Sequence, residues 1–281
     1  MDKIKQKELK LTACKVRMGI IEGVHAAKSG HPGGSLSIAD VLTYLYFDKM
    51  NIDPKNPDKA DRDRLVLSKG HAAPALYSVL AYRGYFDTEL LKTLRHTGSI
   101  LQGHPDKKHI PGVDMSSGSL GQGISAETGM ALSAKHFGDI FRVYTIVGDG
   151  ESEEGQVWEA AMFAAAKKLN NLTAFIDVNG LQIDGTVEEV NNPLPLDEKF
   201  AAFGWNVIVI DGHDFEQIEK ATLDAQNVTD KPTAIIMKTV KGKDVSFMEN
   251  NVGWHGSAPN DEQYETAMAE LKKIYAEIEA E

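Results

Sequence analysis

Cysteine is nearly absent from the 281-residue chain: the single Cys14 permits no intrachain disulfide, which fits a reducing compartment. No apolar run approaches the roughly 18 residues that a transmembrane helix needs, so a helical span is excluded. The first ten residues, MDKIKQKELK, lack the apolar core of a secretory signal. Together these absences predict a cytoplasmic protein. Basic residues are also scarce: 30 Lys and Arg against 41 Asp and Glu leave a formal charge of −11. That field repels phosphodiester backbones and anionic lipid, which argues against nucleic acid or a membrane surface as the main partner. A small anionic ligand would need a local device, such as a metal ion or a helix N-terminus. Neither an internal repeat nor a low-complexity linker is present.

What remains is the composition of a globular protein, 42% hydrophobic and 25% charged. Leu9, Ala13, Val16, Ile20 and Val24 recur at helical spacing and predict a helix over 3–28, ended by Ser29-Gly30-His31-Pro32-Gly33-Gly34. Ser37 is expected to cap a second helix through Met50, and 51–63 reads as a loop. The apolar run Arg64–Ser68 precedes an Ala-rich helix from Gly70-His71 to about Arg83, and Asp87 is expected to cap another to about His96. Residues 98–123 hold six glycines and two prolines, a long loop of the kind that is usually either functional or disordered. Gly121 opens a helix to about Phe137. A β-α-β unit comes next: Arg142–Val147, the turn Gly148-Asp149-Gly150-Glu151, the helix Glu154–Leu169 and the strand Leu172–Val178. Strands Trp205–Ile210 and Thr233–Thr239 flank the helix Phe215–Gln226; a Gly-bearing loop over 240–258 leads to an amphipathic helix over 261–280. The alternation predicts an α/β fold, a doubly wound, mostly parallel sheet with helices on both faces, in one domain over 1–281.

In such a sheet, ligands sit beyond the carboxyl ends of the strands. Two strands end in residues suited to a metal: Asp149 offers a carboxylate, and Asn179 an amide oxygen one crossover later. Mg²⁺ takes six oxygens and completes its shell with phosphates and water, so two side chains and a main-chain carbonyl would leave room for a diphosphate. Gly-Asp-Gly alone reads as a tight turn; paired with Asn179 it reads as a site. Phosphate charge is expected to be met by the metal and by amides of Gly118-Ser119-Leu120-Gly121 at a helix start. Four of the nine histidines stand in small-residue loops: His31, His71, His104 and His255. They suggest a cleft that needs uncharged, switchable donors near neutral pH. Structural zinc fails on spacing. His96, His109 and His136 read as surface residues, His25 as structural, and His213 as shaping a helix entrance.

The set Ser29-Gly30-His31-Pro32-Gly33, Ser68-Lys69-Gly70-His71-Ala72, Gly118–Ile124, Gly148–Glu151 with Asn179, and His255-Gly256 resembles the N-terminal region of transketolases, which are thiamine-diphosphate enzymes. The motifs stand in family order over 29–256. The resemblance implies a thiamine-diphosphate-binding fold, with Asp149, Asn179 and the carbonyl of Leu181 as ligands of Mg²⁺, or of Ca²⁺ or Mn²⁺ in its place. It places His71, Gly118, Ser119, Leu120, Gly150, Glu151 and His255 at the cofactor. It gives His31, His104 and His255 to hydrogen bonding and proton transfer at the sugar, and Glu154 to a link between paired cofactor sites. Neutral imidazoles suit that work.

Two departures matter. The second metal strand reads Asp177-Val178-Asn179, of which only Asn179 is needed as a ligand, and Val240–Ser246 departs from the Gly-rich segment usual there. More importantly, the chain stops soon after His255, before the family's pyrimidine-binding domain with its cofactor-activating glutamate. The resemblance therefore implies the N-terminal subunit of a split, two-chain transketolase that moves a two-carbon ketol unit from a ketose phosphate to an aldose phosphate. Its partner would be a C-terminal subunit carrying the pyrimidine-binding domain, in a two-plus-two heterotetramer. The alternatives are a related subunit that handles another ketose, as a synthase or decarboxylase, and a non-catalytic thiamine-binding module.

Overall fold

The computed structural model describes all 281 residues. In chain order the elements are α1 (Lys3–Ala27), α2 (Pro32–Leu36), α3 (Ala39–Tyr44), β1 (Arg64–Leu67), α4 (Ala73–Arg83), α5 (Gln122–Phe137), β2 (Val143–Gly148), α6 (Gly155–Ala166) and β3 (Leu172–Val178). The two-residue strands β4 (Leu181–Gln182) and β5 (Gly185–Thr186) come next, then α7 (Val187–Val190), α8 (Leu196–Ala202), β6 (Asn206–Asp211), α9 (Phe215–Asn227), β7 (Thr233–Lys238) and α10 (Asp261–Ala280).

Five strands form one parallel sheet in the order β1-β2-β3-β7-β6. Side chains alternate between its faces. Tyr144 and Ile146 join the larger core with α1, α3, α4, α9 and α10, while Val143 and Val147 join a second core with α5, α6 and α8. Both faces are therefore covered, which is why β2 reads as a continuous apolar run, buried at every position. No helix is long and apolar enough to cross a membrane.

Several local expectations differ. The Ser29–Gly34 stretch does not stay irregular, because Pro32 pre-sets the first turn of α2 directly after His31. Ser37 does not open the next helix but closes α2 as its C-cap; its hydroxyl donates to Gly34 O and to Asp177 Oδ2, and the segment through Met50 divides into α3, begun at Ile38, and a π turn over Leu45–Lys49. Asp87 does cap, through Glu89 N, but it opens a 3₁₀ stretch over Thr88–Thr93 rather than an α-helix. The hairpin β4–β5 and the helices α7 and α8 occupy a region for which the sequence predicted no secondary structure. His25 is structural: its ring stacks on Tyr264 and its Nε2 lies 2.9 Å from Asp261, tying α1 to α10.

Two close fits hold α5 against β1. A Cβ on Gly123 would lie 2.5 Å from Ser68 Cα, so the helix approaches as only glycine permits. Gly123→Ala is expected to cost roughly 2–3 kcal/mol of stability, read as a shift of the urea midpoint. Beneath the same contact, fully buried Glu127 accepts the N–H of Val66 at 3.0 Å, and its second oxygen has no partner. Burial pushes its carboxyl well above the usual range and so favours its neutral form in the folded state. A raised folded-state pKa contributes stability below the ordinary carboxyl range and loses it as pH rises. Glu127→Gln should therefore leave Tm nearly unchanged at pH 4 and raise it increasingly towards pH 8, by the equivalent of roughly 1–2 kcal/mol. A constant difference across that range would contradict a neutral Glu127.

Candidate active site

Because Gly148 and Asp177 are register partners, the turn after β2 and the turn after β3 emerge side by side. Asp149 uses both carboxylate oxygens to join them: Oδ1 accepts from Gly150 N at 2.8 Å and Oδ2 from Gly180 N at 2.6 Å. Gly180, at φ +78°, makes the bend that presents this amide. Asn179 donates its Nδ2 to Asp177 Oδ2 at 2.9 Å, which fixes the orientation of the amide, and its Oδ1 accepts from Leu181 N at 3.1 Å. The expected ligands Asp149, Asn179 and Leu181 thus sit on one rim.

Behind that rim lies a charge cluster that the sequence reading missed. Asp177 is fully buried and accepts from Lys69 Nζ at 2.6 Å, Ser37 Oγ at 2.7 Å and Thr239 Oγ1 at 2.5 Å. Burial works against its charge, but the Lys69 ammonium and these donors hold its carboxyl below the usual range. Asp149 goes the other way: burial, then the neighbouring Asp177 charge, push it up to about 6. Lys241, also buried, donates to the Leu181 carbonyl at 2.8 Å and lies 3.0 Å from His255 Nδ1. Burial, then repulsion from Lys69, brings it down to about 8. Lys69 stands inside the Ser68–Ala72 motif and Lys241 inside the divergent Val240–Ser246 loop, yet a lysine in a loop carries no sequence signal until its burial is known.

Three of the four loop histidines converge. Ring centroids are 5.3 Å apart for His31 and His71, 5.6 Å for His31 and His255, and 5.2 Å for the stacked His71 and His255. His104 stands beside them against Gly118, where a Cβ would meet its ring at 3.1 Å; Tyr77 Oη anchors its carbonyl at 2.8 Å. Burial is the first cause of a lowered pKa in each: His31 falls to about 4 and His255 to about 3, His71 well below the ordinary value, and His104 in the same direction. In each case the shift favours the neutral ring. Lys241 donates to His255 Nδ1, which leaves the ring proton on Nε2. His31 Nδ1 is buried without a partner, a polar atom waiting for one.

Gly118 and Ser119, with His104, Ser116, Ser117 and Gln122, line an open polar hollow of about 590 Å³. One amide expected to meet a phosphate is already committed: Gly121 N donates to Glu151 Oε1 at 2.8 Å. Glu151 itself is buried and turned inward, also accepting from Ser68 Oγ at 2.6 Å and Gly148 N at 3.0 Å. It braces three segments of the site rather than facing a ligand. Gly150 packs under Gln182, with 3.1 Å left for a Cβ. Glu154 is exposed at the start of α6, its Cβ over Gly121.

No group of three or more His, Cys, Asp or Glu side chains is arranged to hold a metal. The mixed set of one carboxylate, one amide and one carbonyl nonetheless fits a hard divalent cation with open positions, and the Leu181 carbonyl already faces a cation, the Lys241 ammonium.

The family model described as transketolase, thiamine diphosphate binding domain, matches residues 9–276. The chain is 48% identical over 268 residues to a 6-deoxy-6-sulfo-D-fructose transketolase subunit of Clostridium sp. (strain MSTE9), covering 95% of this chain and 98% of that one. It is 42% identical over 273 residues to an apulose-4-phosphate transketolase subunit of Phocaeicola vulgatus, covering 97% of each. Among solved structures, the transketolase of Campylobacter jejuni superposes with a TM-score of 0.89 at 33% identity, over 99% of this chain and 46% of that one. The chain thus spans less than half of that enzyme and nearly the full length of the two subunits.

Proposed function

Since the chain belongs to the transketolase family, as its N-terminal thiamine diphosphate-binding part, we propose that it is the diphosphate-binding subunit of a two-chain ketol transferase. The observation that carries this is the meeting of a neutral histidine cluster with the Asp149, Asn179 and Leu181 rim and two buried lysines. All 281 residues form one domain in this reading, with a C-terminal subunit supplying the pyrimidine-binding half in a two-plus-two assembly.

Asp149, Asn179 and the Leu181 carbonyl would hold Mg²⁺, or Ca²⁺ or Mn²⁺ in its place, and Lys69 and Lys241 would offset diphosphate charge. When bound, thiamine diphosphate supplies the nucleophilic centre that accepts the two-carbon unit. The residues of this chain bind, orient and move protons. His71 and His255 face the diphosphate end. His31, with its unpartnered Nδ1, His104, and the Nε2–H of His255 bind the sugar hydroxyls and pass protons to and from them at neutral pH. Glu154, exposed over Gly121, is assigned to the link with a second site.

The substrate is a ketose phosphate donor and an aldose phosphate acceptor. The relative named for a sulfonated fructose favours a second reading, in which the donor carries a sulfonate instead. Turnover by the chain and its partner subunit, compared for fructose 6-phosphate, 6-deoxy-6-sulfofructose and apulose 4-phosphate, separates the two. A preference for the phosphates supports the first reading; a preference for the sulfonate replaces it with the second; no ketol transfer from any of them contradicts both.

A further inference from the structure

The loop after β7 carries Lys241 into the site, and three consecutive residues of it are tethered. Val240 N–H donates to His213 Nε2 at 2.9 Å, Lys241 Nζ to Leu181 O at 2.8 Å, and Gly242 N–H to Gly33 O at 3.0 Å. The tether at Val240 has a polar chain behind it. His213 Nδ1 lies 2.7 Å from Asp40 Oδ2, and Asp40 receives both terminal nitrogens of Arg17, at 3.0 and 2.5 Å. Arg17 Nε in turn faces Asp244 Oδ2, farther along the same loop, at 3.2 Å. Arg17 and Asp40 are both buried.

Accepting at Nε2 while donating at Nδ1 requires the neutral ring with its proton on Nδ1, the tautomer that Asp40 selects. The arrangement is not needed to begin α9, as the sequence had suggested for His213. Asp214 already caps that helix, accepting from Glu216 N at 2.9 Å and Gln217 N at 3.2 Å. A buried ion pair is in addition weak support for stability by itself. What the chain does hold is the backbone immediately before Lys241.

We propose that His213, oriented by Asp40 and Arg17, is a positioning residue that seats Lys241 against the Leu181 carbonyl and His255. Arg17 and Asp40 lie on α1 and α3, so the core beneath the site sets the place of a loop residue within it. The inference rests on the proposed function only in giving Lys241 an anion to meet; the seating itself is testable without cofactor.

The test is acetic-anhydride labelling of the folded chain, read by mass spectrometry at Lys241 with buried Lys69 as internal control. In His213→Leu, which fills the ring's volume without either hydrogen bond, labelling of Lys241 should rise at least about tenfold while Lys69 stays protected. His213→Gln, whose amide can both donate to Asp40 and accept from Val240, should restore protection to within about threefold. Unchanged protection of Lys241 in folded His213→Leu, or equal gains at both lysines, would overturn the proposal. If His213→Leu does not fold, hydrogen exchange of the wild-type Val240 amide decides. Slowing of at least about 100-fold relative to free peptide supports the tether, and exchange at the free rate refutes it. In the complex with the partner subunit, His213→Leu should raise KM for thiamine diphosphate more than it lowers kcat. Absence of wild-type turnover would count against the proposed function alone, leaving the labelling result to stand or fall separately.

Discussion

Replacing Asp149 or Asn179 by Ala is expected to abolish Mg²⁺-dependent binding of thiamine diphosphate while leaving the fold intact. Asp149 is the one carboxylate among the candidate metal donors, and its two oxygens also bind the turns after β2 and β3 together. Asn179 places its oxygen by way of Asp177. Losing a direct metal donor should weaken affinity by at least the 10–100-fold typical of supporting residues, so roughly 100-fold or more by calorimetry. Far-ultraviolet circular dichroism should be unchanged, because both side chains lie at strand ends and outside the two apolar cores. The same loss should appear in the unmutated chain when the metal is removed with a chelator. Retained affinity in either variant would remove these residues from the metal site.

The second large effect is expected at the histidines. His31→Ala and His255→Ala should each lower kcat of the assembled enzyme by roughly 10²–10⁴-fold, the span of a lost proton donor or acceptor. Cofactor affinity should fall less in His31→Ala than in His255→Ala, because only His255 touches Lys241. His31 and His255 have folded-state values of about 4 and 3, so activity should not show a protonation step from either ring between pH 6 and 8. Steady-state kinetics with the partner subunit, over that range, measures both effects. A decrease under fivefold in kcat for both variants would leave the cluster without a chemical role.

The parallel strands were legible because each is a short apolar run bounded by glycine or polar residues: four strands of the main sheet fall on the four segments read as strands, and the fifth, β1, on the apolar run Arg64–Ser68. The small-residue loops around His31, His71 and His255 were legible too, and the structure brings those three rings within 6 Å of one another. The β4–β5 hairpin was not, since two-residue strands leave no periodicity to detect. Ser37 reads locally as a helix cap, but it lies 2.7 Å from Asp177, 140 positions away, and that tertiary partner decides its role. Glu151 looks like one more acid of a ligand turn; its three hydrogen bonds, to residues 68, 121 and 148, show it to be internal bracing. Lys69, Asp177 and Lys241 escaped for the same reason. Their meaning lies in burial and in partners distant in sequence, neither of which residue spacing encodes.

The central claim is that this chain carries one half of a ketol-transfer site. The most direct measurement is ketol transfer by the purified chain with thiamine diphosphate and Mg²⁺, beside the same chain captured from its host lysate together with its bound partner. Activity confined to the complex, with a co-purifying subunit that carries a pyrimidine-binding domain, is the expected result. Full activity of the isolated chain would place the cofactor-activating glutamate within these 281 residues and contradict the claim.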